Sequence, residues 1–186
     1  MAAARRLLLP LALLVGVLVP AGDALARGGD YTIEGGSLEA QAQVHAALAA
    51  SRFDWGVVPA RITIRITRCG CAGSRPGEIV LDEDALVRSP FGPRYAWGVV
   101  QHEYAHQVDW LVLRPRERRA LARRLGARAW CHDEPGLAHD DYGCERFATS
   151  LAWAYWRSPE NVQRPTWERP FQPRPFRSLL ARFVSA

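Results

Sequence analysis

The sequence predicts a single α+β domain in which a small mixed or antiparallel sheet precedes one long buried helix and a second helix follows it. Three observations carry that prediction: the strict alternation of Arg61-Ile62-Thr63-Ile64-Arg65-Ile66-Thr67, the proline-free run 97–113, and the apolar-periodic segment 144–153. A chain of 186 residues is large enough for one domain with its own core.

Taken in order, the chain opens with Arg5-Arg6, an apolar run from Leu7 to Val19, and Ala24-Leu25-Ala26, a small-residue cleavage signature. This pattern reads as a secretory signal peptide over 1–26, leaving a domain over 27–186 and predicting a secreted protein. The apolar run is shorter than the roughly 20 residues a span needs, so no stable membrane span is expected after cleavage. A first amphipathic helix is expected from about Leu38 to Ser51, capped by Ser37, with Leu38, Val44 and Leu48 inward. The alternating segment 61–67 then places three isoleucines on one face of a strand. Gly70, Gly73, Pro76 and Gly77 mark a turn, and Glu78-Ile79-Val80-Leu81 reads as the neighbouring strand.

The run 97–113 holds the most informative residues, His102-Glu103-Tyr104-Ala105-His106. Two histidines four apart on a helix face the same way and can grip one metal ion, and Glu103 supplies a base beside it. At about 100° per residue, His102, His106, Asp109 and Leu113 share one stripe, while Val100, Val108 and Leu111 can face a core. A catalytic zinc centre takes three protein ligands. Glu145, on the apolar-periodic segment 144–153, is the strongest third candidate, because a helix holds a ligand more rigidly than a loop. His139, Asp140 and Asp141 in the polar stretch before it are alternatives. With Glu145 as ligand, Tyr142 and His139 are free to donate to an oxyanion.

These residues resemble the zincin metallopeptidases, whose extended motif asks for uncharged residues where this chain has Val100, Tyr104, Ala105 and Gln107, and for a hydrophobic residue where it has Val108. Glu145-Arg146-Phe147-Ala148 is similar to the Glu-x-x-Ala ligand helix of the gluzincin branch. The resemblance covers both helices closely and the sheet in outline, and implies a Zn2+ enzyme that cuts peptide bonds with Glu103 as base. It also implies an edge strand beside the cleft that holds an extended substrate, a role open to the segment around Ile79 to Leu81. Thr149 stands where many gluzincins carry an acidic residue. Asp109 is then either the carboxylate that orients a ligand imidazole or a solvated or capping acid, and its short side chain suits direct ligation less well.

An exported chain favours disulfides, and Cys69, Cys71, Cys131 and Cys144 allow three pairings. Cys131 with Cys144 is preferred because it closes the polar loop before Glu145. That leaves Cys69 with Cys71, although a cross-linked arrangement also fits. All 24 basic residues are Arg, as expected of a GC-rich bacterial coding sequence. The net charge of +5 favours anionic surfaces such as cell-wall polymers. No nucleic-acid motif accompanies the basic run 114–119, which reads as a solvated helix face interleaved with Leu121 and Leu125. A proline-rich tail from about 158, with Trp167, Phe171 and Phe176, is expected to wrap over the body and end in a short helix over 178–184. Two other functions share these features: an exported metal-binding or cell-wall interaction protein with an inert site, and a zinc amidase acting on wall peptides.

Overall fold

The computed structural model describes residues 28–92, 94–131 and 135–184. The leader read at 1–26 lies outside the described residues, as do His132, Asp133 and Glu134 of the polar stretch. The chain runs β1 (Tyr31–Gly35), α1 (Leu38–Ala50), a 3-10 turn (Trp55–Val57), β2 (Ile62–Thr67), β3 (Gly73–Arg75), β4 (Glu78–Asp82) and α2 (Glu83–Val87). It continues through α3 (Tyr95–Leu111), α4 (Pro115–Leu125), a 3-10 turn (His139–Asp141), α5 (Gly143–Tyr155) and α6 (Pro173–Val184). The architecture is α+β, with a small mixed sheet of four strands and six helices among the described residues.

Strand order is β1-β2-β4-β3, with β2 parallel to β1 and β4, and β3 antiparallel to β4. Parallel pairing requires a crossover, which α1 supplies between β1 and β2. Pro76-Gly77 turns β3 back on β4, and the left-handed φ of 82° at Gly77 suits a residue without a Cβ. Ile62, Ile64 and Ile66 enter the core from β2, as the alternation requires. The expected strand over 78–81 is β4. It is not the edge beside the cleft: it is bonded to β2 on one side and β3 on the other, which leaves no free backbone row for a substrate. The edge is β3, formed from residues that read as a turn.

Ser37 caps α1, accepting from the Ala40 N–H, and Val44 and Leu48 are buried. Leu38 is 84% exposed, contrary to expectation. At about 100° per residue it sits about 120° from Val44, off the face shared by Ala40, Ala47 and Leu48. Helix α3 ends at Leu111, so Leu113 leaves the histidine stripe and turns into the core. Helix α6 starts at Pro173 and not near Ser178, because proline is tolerated in a first helical turn whose N–H groups have no partner anyway. Its Phe176 meets Phe147 of α5 with ring centroids 6.1 Å apart. On α4, Leu121 and Leu125 are buried while Arg116, Arg119, Arg123 and Arg124 face solvent, as read.

Every residue of α3 from Val100 to Asp109 is buried, including six polar side chains besides the Tyr104 hydroxyl. Burial on this scale demands partners. Gln101 Nε2 donates to the Ala47 carbonyl at 2.7 Å, tying α3 to α1. Gln107 donates to the Arg75 carbonyl at 2.9 Å and accepts from the Gly77 N–H at 2.8 Å. One side chain thus pins the β3–β4 turn against α3 and lays the short edge strand along the histidine face.

Candidate metal centre

His102, Glu103 and His106 reach a cleft of about 230 Å³ bounded by α3, α5, β3 and the 3-10 turn. His102 Nε2 lies 3.2 Å from His106 Nε2 and 3.1 Å from Glu145 Oε2, and His106 Nε2 is 3.4 Å from the same oxygen. Ligand atoms about 2.0–2.1 Å from a tetrahedral ion stand about 3.3 Å apart, so the triangle has the size of one face of a zinc tetrahedron. Two imidazoles and a carboxylate are also a donor set that zinc accepts. Glu145 sits in the first turn of α5, whose packing against α3 brings residues distant in sequence to one point.

Burial opposes ionisation of Glu145, but hydrogen bonds from His102 and His106 and their positive charge prevail and hold its carboxyl well below the ordinary carboxylate range. Burial likewise opposes a charge on His106. The Glu145 hydrogen bond and the negative charges of Glu145, Glu103 and Asp109 outweigh it and raise that imidazole. Glu103 is 8% exposed. Its carboxylate accepts a short hydrogen bond from Ser74 Oγ, which also lies 3.1 Å from the Glu103 carbonyl oxygen. Ser74 belongs to β3 and escaped the sequence reading, because Gly-Ser-Arg carries no strand signal of its own.

The support of His102 also differs from expectation. Its Nδ1 lies 3.2 Å from Thr149 Oγ1, and the Thr149 hydroxyl donates to Gln163 Oε1 at 3.3 Å. With that proton committed, the hydroxyl oxygen accepts from His102 Nδ1–H, which turns Nε2 toward the cleft. Asp109 does not orient either histidine by a hydrogen bond. It is 1% exposed and accepts from Arg118 Nε at 2.8 Å and from Trp130 Nε1 at 3.1 Å. His106 Nδ1 has no hydrogen-bond partner among the described residues, and the ring is held by stacking on Trp110 at a centroid distance of 5.5 Å. Gln163 comes from the tail, anchored by Asn161, whose Nδ2 donates to the Ala152 and Trp156 carbonyls at the end of α5. Gly98 lets this segment approach: a Cβ there would fall 2.6 Å from Asn161 Oδ1.

Of the polar-stretch candidates, His139 reaches the site, with Nε2 2.8 Å from Glu145 Oε2. Tyr142 does not line the cleft, and its hydroxyl accepts from the Leu137 N–H. The Asp140 carbonyl and the Asp141 carboxylate accept from Arg146, and neither residue lines the cleft. Cys131 pairs with Cys144, and Cys69 with Cys71. The nearby grouping of Cys131, Cys144 and Glu145 therefore offers no thiolates for a second metal. Among the described residues lining the cleft, none comes from the tail. No protein-family model, no curated protein and no solved structure matches this chain.

Proposed function

We propose that this chain is a small secreted zinc peptidase of the zincin type, gluzincin-like in its ligand set. The observation that carries the reading is the triangle of His102, His106 and Glu145 with Glu103 on the cleft wall beside it. His102, His106 and Glu145 would hold the zinc, which would supply a Lewis acid to polarise a carbonyl and acidify water. Glu103 takes the proton of the attacking water and passes it to the leaving amine, while Ser74 fixes its carboxylate against the edge strand. His139, exposed at the rim, is placed to donate to a developing oxyanion. The outer edge of β3 offers backbone groups to an extended peptide. A mixed sheet ahead of α3 and a ligand helix after it are in keeping with a zincin-like fold, and two disulfides suit an oxidising compartment.

A native mass spectrum of the secreted chain should count one zinc per molecule, and the Glu103→Gln variant should keep that zinc while losing hydrolysis by about 10²- to 10⁴-fold. A folded chain that stays metal-free in the presence of zinc would sink the proposal. Digestion of a peptide library beside wall fragments separates a peptidase from a zinc amidase acting on wall peptides. Unfolding on chelation with no hydrolysis of either would instead mark an exported metal-binding or interaction protein.

A further inference from the structure

We propose that the groove between α4 and α6 binds an extended peptide segment of the pattern acidic-x-apolar-x-acidic, a second site independent of the cleft. The groove encloses about 610 Å³ and is lined by Arg124 from α4, Arg174, Ser178 and Arg182 from α6, and an apolar floor that includes Phe171 and Leu179. None of its lining residues belongs to the cleft.

The arginines of the groove differ from those around the sheet. Arg61, Arg65, Arg68, Arg75 and Arg88 each pair with a carboxylate. Among the described residues, Arg124, Arg174 and Arg182 make no ion pair, and none that lines the groove carries a carboxylate. Three unneutralised guanidinium groups around one hollow form a local positive field that an anionic partner would relieve. Phe171 and Leu179 between them add a patch that favours an apolar group.

Dimensions narrow the partner. Arg174 and Arg182 leave α6 about 12 Å apart along its axis at about 1.5 Å per residue. An extended peptide advances about 3.3 Å per residue and turns alternate side chains to the same face, so acids four residues apart stand about 13 Å apart with one side chain between them. Such a segment sets a carboxylate at each end of the groove and its central apolar side chain on the floor, with Arg124 closing from α4. A single small anion cannot reach both ends, and a planar bilayer cannot insert one side chain into a hollow.

The test is fluorescence anisotropy of the intact protein with a labelled peptide Gly-Glu-Ser-Phe-Ser-Glu-Gly. Binding should saturate, weaken as salt rises to about 0.15 M, and fall about tenfold in the triple Arg124→Ala, Arg174→Ala, Arg182→Ala protein. Replacing the peptide's glutamates by glutamine, or its phenylalanine by serine, should weaken it as well. The Arg119→Ala variant, which alters an exposed arginine of α4 outside the groove, should bind like the native chain. All three groove arginines are exposed, so the single variants, measured alongside with circular dichroism, keep the result independent of the triple one. Absence of saturation at millimolar peptide, equal weakening by Arg119→Ala, or capture of phosphatidylglycerol vesicles in place of the peptide would each overturn the proposal. The outcome is separate from zinc uptake, because nothing in the groove touches the cleft.

Discussion

His106 and His139 both bring an Nε2 atom to the Glu145 carboxylate, at 3.4 and 2.8 Å, in opposite surroundings. The His106 side chain is 7% exposed, stacked on Trp110 and carried by a helix whose neighbouring residues are all buried. The His139 side chain is 78% exposed and stands on a 3-10 turn. The shorter contact therefore belongs to the less constrained side chain. Burial has already removed the rotamer freedom of His106, whereas His139 must give up its own each time it engages. If the proposed ion binds, the helical wall offers it a fixed, buried imidazole, whereas the loop wall offers an exposed one.

The largest effect that would break this contrast is on the helical wall: His106→Ala should abolish stoichiometric zinc uptake, read by native mass spectrometry. Gln163→Ala comes next. If the Thr149 hydroxyl fixes His102 through Gln163, zinc affinity in a chelator competition should fall about 10- to 100-fold, with Gln163→Glu, which keeps the acceptor, close to native. His139→Ala should leave zinc affinity nearly unchanged and slow peptide hydrolysis. A loss of zinc equal to that of His106→Ala would show that exposure is no guide to which imidazole holds the ion.

The smallest effect sharpens the comparison away from the cleft. Asp82 caps α2 and accepts from the N–H groups of Cys69, Gly70 and Ala85. Burial acts to raise its carboxyl, but those three donors outweigh it and depress it below its ordinary value of 3.8. A depressed carboxyl stabilises the fold fully above the unfolded value, and the contribution is lost as pH falls through the folded one. Asp82→Asn should therefore lower Tm by about 2–4 °C at neutral pH, an effect that shrinks in thermal melts as pH falls below the ordinary carboxylate range.

Legibility from sequence followed the range of each interaction. The histidine helix, the strands at 62–67 and 78–82, the Ser37 cap and the Glu145 helix announce themselves through local periodicity or motif. β3 does not, because Gly73-Ser74-Arg75 becomes a strand only through pairing with β4 and the grip of Gln107 on its turn. β1 likewise carries little signal of its own, its Tyr31-Thr32-Ile33 too short to stand out before pairing with β2. The same limit hid Ser74 and Gln163, whose roles arise from contacts across 29 and 14 residues. Asp109 was placed on the correct stripe, yet nothing in the local sequence reveals that Arg118 and Trp130 claim its oxygens.

The bridge from Cys131 to Cys144 ends one residue before Glu145. The histidine pair is carried by one helix, α3, while the carboxylate that completes the triangle sits next to a bond that forms only by oxidation. If the triangle holds zinc as proposed, protein made in a reducing host is expected to fold its helices and still vary in metal content from batch to batch. On that reading, zinc per chain, titrated against free thiol, becomes a measure of how well each preparation has matured.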